Sequence, residues 1–165
     1  MKRTVSKLKS NRNCTASALV EFGPALFAFL ITLLFPIIDL LAIATVYSIG
    51  SAMNDEQLRE AALSKRSQAE DVQGSVKYGI PTAWRKSGLG RYAKIDSDIE
   101  TTILYTAGPD DEYGNAQKFI RVGTSFSVKP FISVPFPTAV PGLNADLTLR
   151  FAATRLLEYP PNYEL

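Results

Sequence analysis

The fold is decided by residues 22–38, which read FGPALFAFLITLLFPII and contain no charged side chain. Asp39 follows, and residues 40–49 are again mostly apolar. As a helix, residues 22–49 would be about 40 Å long, whereas a bilayer core needs about 20 residues. The pattern therefore predicts a transmembrane helix, which we place at residues 17–50.

Two prolines interrupt the predicted span. Pro24 lies near its start, where a missing backbone N–H matters little. Pro36 lies deeper, so we expect it to kink or locally loosen the helix. The span residues that we single out are Phe22, Pro24, Leu33, Pro36 and Asp39.

Asp39 and Glu21 are the acidic residues that border the uncharged run. A carboxylate at membrane depth is unfavourable and usually has a partner. Asp39 has two interpretations. It pairs with a basic residue of a neighbouring subunit, or it lies about 27 Å from Glu21 along the helix, so that the two residues mark opposite membrane interfaces.

Residues 1–16 form a basic leader. They carry a charge of +5 without an acidic residue, and the rest of the chain sums to −3, which leaves the net charge of +2. Lys and Arg beside a span stay on the cytoplasmic side. We therefore predict a single-pass protein of a bacterial inner membrane, with its C-terminal part periplasmic or extracellular. Because the positive charge belongs to the leader, we expect no nucleic-acid binding.

The composition argues against catalysis. The chain has one cysteine and no histidine, which excludes an intrachain disulfide, a His-based triad and a Cys/His zinc site. We find no convincing nucleophile–base pair, and we predict a non-enzymatic protein without a cofactor or a metal. Acidic clusters at residues 96–100 and 110–112 offer oxygen ligands for calcium. Their spacing matches no known calcium loop, and we interpret them as solvated surface.

Residues 51–80 are predicted to continue the helix outside the membrane. Apolar residues recur there at spacings of three, four or seven, and they are Leu58, Ala62, Ala69, Val72 and Val76. Gly74, Gly79 and Pro81 mark the expected end of this helix.

Residues 81–165, the head, are predicted to be rich in β-structure. Residues 81–95 look irregular, and three later stretches alternate apolar and polar residues: 99–105, 120–128 and 147–154. Turn-forming residues at 108–115 separate the first two, and a long proline-rich loop, residues 130–144, separates the last two. The expected fold is α+β and pilin-like, with one long N-terminal helix packed on a three- to four-stranded antiparallel sheet.

A possible processing site precedes the apolar run. Ala16 is a small residue, which suits a narrow protease pocket, and Ser17 follows it. Cleavage between them would create a Ser17 amine four residues before Glu21, on the same helical face. That amine could pair with Glu21 of its own chain or of an adjacent chain.

The sequence ASALVEFGPAL, residues 16–26, together with the basic leader resembles the class III signal peptide of TadE-like pseudopilins. These are minor subunits of the tight-adherence (Tad/Flp) pilus, a type IV pilus system. Residues 147–158 also resemble the last strand of that family. The family commonly has Gly at the cleavage position, where this chain has Ala16.

The resemblance implies a structural role in pilus assembly. Its expected partners are the membrane, other pilin and pseudopilin subunits, the prepilin peptidase and the inner-membrane assembly platform. The expected processing site is Ala16–Ser17, and Glu21 is the expected assembly residue. The breaks at Pro36 and Asp39 favour a minor subunit over a filament-shaft pilin.

Two alternatives follow from the same residues. The leader and apolar run are also compatible with an ordinary signal peptide, since Ala42-Ile43-Ala44 offers a cleavage site. The product would be a secreted or signal-anchored periplasmic binding module unrelated to pili. In the head, Trp84 and Tyr92 lie among basic residues. They either contact subunits or lipid headgroups, or they pack within the head.

Overall fold

The computed structural model describes residues 20, 22–95, 97–110, 112, 116–133 and 135–157. Within them, a helix of 42 residues is followed by short helices and a sheet. The helices are α1 (Phe22–Leu63), α2 (Arg66–Ala69), α3 (Ile80–Lys86) and α4 (Gly88–Tyr92), and the strands are β1 (Glu100–Asp110), β2 (Ala116–Val128) and β3 (Leu147–Leu156).

The three strands form one antiparallel sheet in the order β1-β2-β3. Val122 of β2 lies between Ile103 of β1 and Ala153 of β3. Alternate residues of β2, including Ile120 and Phe126, are buried, as period-two alternation requires. The α+β fold and the three strands are therefore confirmed, and each strand is longer than its sequence pattern.

Helix α1 crosses one face of this sheet with its second part, residues 39–63, which we call the packed segment. Two apolar clusters join them. Near residue 128 the first cluster contains Val46, Met53, Phe126 and Phe151. Toward the other end of the sheet, the second cluster brings further helix residues against the sheet; its buried members are Leu58, Ala61, Ala69, Val76, Ile120, Val122 and Leu157.

Gly50 sets how closely the helix approaches the sheet. A Cβ at this position would overlap the Phe151 ring and would lie 2.9 Å from Cζ of Phe126. The two rings stack on each other with centroids 5.6 Å apart. Because only glycine leaves room for both rings, this position fixes the separation of helix and sheet.

Gln57 lies in the middle of the same interface and is completely buried. Its Nε2 donates to Val76 O and to Oγ1 of Thr101, each at 2.8 Å. Its Oε1 accepts a hydrogen bond from Oγ1 of Thr124 at 2.8 Å. One side chain thus ties α1 to two strands and to the segment that contains Val76, with both ends of its amide paired.

The helix ends at Leu63 and does not continue to residue 80 as predicted. Ala69, on α2, and Val76, on a separate π-helical turn (Ser75–Gly79), reach the second cluster because the chain folds back. A straight helix would run past the end of the sheet and leave both side chains in water, so burial favours the break. Val72, which the periodic pattern also included, is exposed.

Residues 80–92, predicted to be irregular from residue 81 onward, form the short helices α3 and α4. Pro81 lies in the first turn of α3, where its missing N–H is tolerated. The Oγ atom of Ser87 accepts a hydrogen bond from the N–H of Gly90 at 3.1 Å and caps α4.

Candidate membrane helix and its junction with the sheet

Residues 22–38 of α1, which we call the apolar segment, are exposed or half-buried. The structure describes all of them, and none is buried. Phe22, Phe27 and Leu33 are among the exposed large side chains, and Pro24 is exposed as well. Within the described part of the chain, α1 is the one helix long and apolar enough to cross a membrane.

The helix is locally unwound directly before Pro36. Residues Leu30–Leu34 form a π-helical turn, and the N–H of Phe35 donates to Leu30 O, five residues back. Proline lacks an N–H and its ring collides with the carbonyl four residues earlier, so a wider turn relieves the clash. The predicted loosening at Pro36 is confirmed.

Asp39 marks the point where the helix meets the rest of the molecule. Its side chain is completely buried. Its Oδ1 accepts a hydrogen bond from the N–H of Ile132 at 2.8 Å, and Oδ2 has no hydrogen-bond partner among the described residues. Of the two interpretations, the first sought a partner on a neighbouring subunit. Within the chain, the contact that the structure shows is with the proline-rich loop, and both interpretations stay predictions.

The proline-rich loop wraps this part of α1. At Gly142, with φ +82°, an added Cβ would lie 2.6 Å from Cδ1 of Ile43. Asn144 braces the loop from inside, since its Oδ1 accepts from the N–H of Val140 at 2.6 Å and its Nδ2 donates to Thr138 O at 2.9 Å. The loop therefore has a defined course against the helix between Asp39 and Ile43.

Aromatic and basic side chains lie on one side of the helix just beyond this contact. Nζ of Lys94 donates to Phe131 O at 3.1 Å and lies 4.9 Å from the centroid of the Phe131 ring. The Tyr92 ring lies 6.2 Å from that of Phe131. Together with Lys129 they line a small cleft against Ala42, Ile43 and Val46.

Trp84 has a different environment from Tyr92. It packs against the first apolar cluster, and its indole N–H donates to Oε2 of Glu56 at 2.6 Å. Tyr92 remains exposed. The two aromatic residues that the sequence grouped together are thus separated: one belongs to the core, and the other faces outward beside the loop.

The predicted processing and pairing residues, Ala16, Ser17 and Glu21, lie outside the described residues. Of the acidic clusters, Asp96 and Asp111 also lie outside them. Asp98 is exposed and accepts a hydrogen bond from Nη1 of Arg85 at 3.3 Å. Across the described ranges, no three His, Cys, Asp or Glu side chains are arranged to hold a metal ion.

Sequence reasoning missed two features of this junction. One is the contact between the loop and Asp39, whose available signal was the absence of charge from residue 130 to residue 145. The other is Gln57, whose signal was its place between Met53 and Ala61 at helical spacing. In each case the sequence pattern indicated burial but did not identify the residues that make the contact.

Comparison with protein-family models, curated proteins and solved structures finds no match to this chain.

Proposed function

We propose that this protein is a TadE-like pseudopilin, a non-catalytic minor subunit that is held in the inner membrane and takes part in assembly of a tight-adherence pilus. The observation that carries the proposal is the exposed apolar segment. Residues 22–38 present an apolar helix with no buried residue, and its exposed side chains must be covered by lipid or by other apolar helices. In a subunit that moves from a membrane into a helical bundle, lipid contacts these side chains first and other apolar helices contact them afterwards.

The leader and its junction supply the second support. A charge of +5 within residues 1–16 holds that end in the cytoplasm. Processing before Ser17 would leave Glu21 four residues from a new amine, which gives an otherwise unfavourable carboxylate a partner. These features come from the sequence, and the family resemblance is what links them to processing by a prepilin peptidase and to pilus assembly.

The contacts of Asp39 and Ile43 argue against an ordinary signal peptide. Cleavage after Ala44 would remove the acceptor that binds the N–H of Ile132 and the side chain packed at Gly142. A segment that is discarded after export has no reason to be built into the junction of the mature protein. The proposal therefore keeps α1 intact.

The mature N-terminus tests the proposal. The full chain is expressed together with a prepilin peptidase, and intact-mass and peptide mass spectrometry identify the first residue. A start at Ser17 is expected. A start at Thr45 would contradict the proposal and assign the chain to the secreted proteins, and an unprocessed Met1 would favour a plain membrane-anchored binding module.

A variant at Glu21 tests assembly separately. Glu21→Ala is expected to insert into the membrane as the native chain does, but to reduce the number of pili on cells that depend on this gene. The control is Glu60→Ala, which also removes one carboxylate but does so within the packed segment. Normal piliation by the Glu21 variant would remove the assigned role of Glu21.

A further inference from the structure

We infer that the proline-rich loop and the basic residues beside it form a second membrane contact, which lies in the interfacial layer and binds the phosphate groups of anionic phospholipids. This inference rests on the proposed membrane insertion of α1. It adds a surface that the helix alone does not provide.

The depth of the loop follows from helix geometry. Residues 22–41 span about 30 Å, the thickness of a bilayer hydrocarbon core. Leu40 and Leu41 are still exposed and apolar, as expected at the end of that core. Because Asp39 binds the backbone of Ile132, the loop lies at the level where the helix leaves the hydrocarbon.

The composition of the loop fits that level. Residues 130–145 read PFISVPFPTAVPGLNA and carry no charge, whereas Lys129 and Asp146 flank them. Phe131 is exposed, as are Pro135 and Pro137. A loop in water would normally be polar. An uncharged loop beside a membrane helix instead suits the inner, apolar side of the membrane–water interface.

The basic side chains lie slightly farther out. Lys94 and Tyr92 line the cleft against Ala42–Val46, which is about 2–8 Å beyond Leu41 along the helix. The headgroup layer on each side of a bilayer is of the order of 5–7 Å thick. Aromatic rings and basic groups concentrate in that layer, where lysine and arginine attract anionic lipids.

Lys94 is exposed and forms no ion pair with a described acidic residue. Lys94 also has a positive φ of 49°, a conformation that is unfavourable for a residue with a side chain. The fold retains a strained backbone at the position that places an ammonium group over Phe131.

Depth measurements in nanodiscs test the loop. The full chain, with Cys14→Ser, carries a spin label at one engineered cysteine: Phe131→Cys in the loop, Leu33→Cys in the span, or Thr106→Cys at the far end of β1. One copy is placed in each disc of phosphatidylethanolamine and phosphatidylglycerol. Relative to position 106, position 131 is expected to collide more with oxygen and less with a water-soluble nickel chelate.

The three labels separate the possible failures. A lipid-buried label at 33 with a label at 131 as water-accessible as that at 106 would overturn the loop contact and leave the membrane helix intact. A water-accessible label at 33 would overturn the proposed membrane insertion itself. In a second set of discs that hold several copies each, protection of position 131 that is absent from the single-copy discs would assign the loop to a subunit contact and overturn the lipid assignment.

The phosphate contact is tested with Lys94→Gly, because glycine adopts a positive φ readily and the fold is not endangered. Native mass spectrometry then compares retained phosphatidylglycerol with retained phosphatidylcholine from mixed discs. Loss of one basic group is expected to reduce this ratio about fivefold. Arg121→Gly, on the exposed side of β2 away from this end of the sheet, is expected to leave it unchanged. Equal ratios for Lys94→Gly and the native chain would overturn the contact.

Discussion

The two parts of helix α1 differ in almost every physical respect, although they form one continuous element. The apolar segment, residues 22–38, has no charge and contains no buried residue. The packed segment, residues 39–63, contains Asp39, Asn54 and Gln57 among its buried residues. The rest of the chain buries no residue of the apolar segment, whereas the packed segment obtains its environment from its own chain.

This difference shows that hydrophobicity alone does not locate the residue at which α1 begins to be buried by its own chain. The apolar pattern extends to residue 49, and the span was predicted to end at residue 50. In the structure, the first buried residue of α1 is Asp39, whose side chain accepts a hydrogen bond from the loop. The single acidic residue in the run therefore marks where burial within the chain begins, and the end of the membrane span at residue 50 stays a prediction.

The largest expected effect comes from removing the polar network of the packed segment. Gln57→Ala leaves a cavity and takes hydrogen bonds from Val76 O, Thr101 and Thr124. We expect the free energy of unfolding to fall by about 3 kcal/mol or more. Fluorescence of Trp84, the one tryptophan of the chain, reports unfolding in detergent solution.

The matched control for that variant is Asp55→Ala, two residues away and exposed. It is expected to change the free energy of unfolding by less than about 0.5 kcal/mol. Similar midpoints for the two variants would show that Gln57 does not join the helix to the sheet.

A pair of glycine variants compares the two segments directly. Gly50→Val would force a side chain into the rings of Phe126 and Phe151, and we expect a loss of about 2 kcal/mol. Gly23→Val meets nothing within 4 Å and should leave the Trp84 unfolding transition unchanged. A loss for Gly23→Val as large as that for Gly50→Val would contradict the division of the helix.

The junction itself is tested at Asp39. Asp39→Leu removes the acceptor for the N–H of Ile132, and a hydrogen bond of about 1 kcal/mol corresponds to about fivefold faster amide exchange. Asp39→Asn retains an acceptor oxygen and should keep most of the protection. Hydrogen exchange at Ile132 measures both, and an unchanged rate in Asp39→Leu would show that the loop is held by other contacts.

The smallest effect concerns the far end of the sheet, beside the second apolar cluster. Burial raises the pKa of Tyr105 above 10.0, and the nearby Glu70 raises it further, while Arg66 lowers it. Because the neutral phenol is favoured in the folded state, stability should decrease as the pH rises above 10.0 toward the folded pKa. In Tyr105→Phe this decrease should be weaker, and in Tyr78→Phe, which alters an exposed ring, it should be retained. Identical pH profiles for native protein and Tyr105→Phe would contradict the shift.

Local patterns predicted much of this fold. Alternation located the three strands, because residues such as Ile120 and Val122 face one buried side of the sheet. Pro36 predicted the local loosening, because its effect depends only on the preceding turn. The resemblance of residues 16–26 concerns positions that the structure describes only in part, so Ala16, Ser17 and Glu21 remain predictions.

Long-range contacts could not be predicted in the same way. Leu58, Ala69 and Val76 share a helical period, yet they come together through a fold-back after Leu63. The pairing of Asp39 with Ile132 joins residues 93 positions apart. Which segment covers a polar residue depends on the whole topology, and a pattern within one helix does not contain that information.

The most direct test of the division at Asp39 is a cysteine-accessibility scan along α1 in membrane vesicles, with Cys14→Ser as background and a water-soluble maleimide as the label. Every position from 22 to 38 is expected to be protected. From residue 44 onward, labelling should follow the helical period: Ala44, Tyr47 and Ser48 label, whereas Val46, Gly50 and Met53, which face the sheet, do not. Uniform protection through residue 50, or labelling within residues 22–38, would contradict the account.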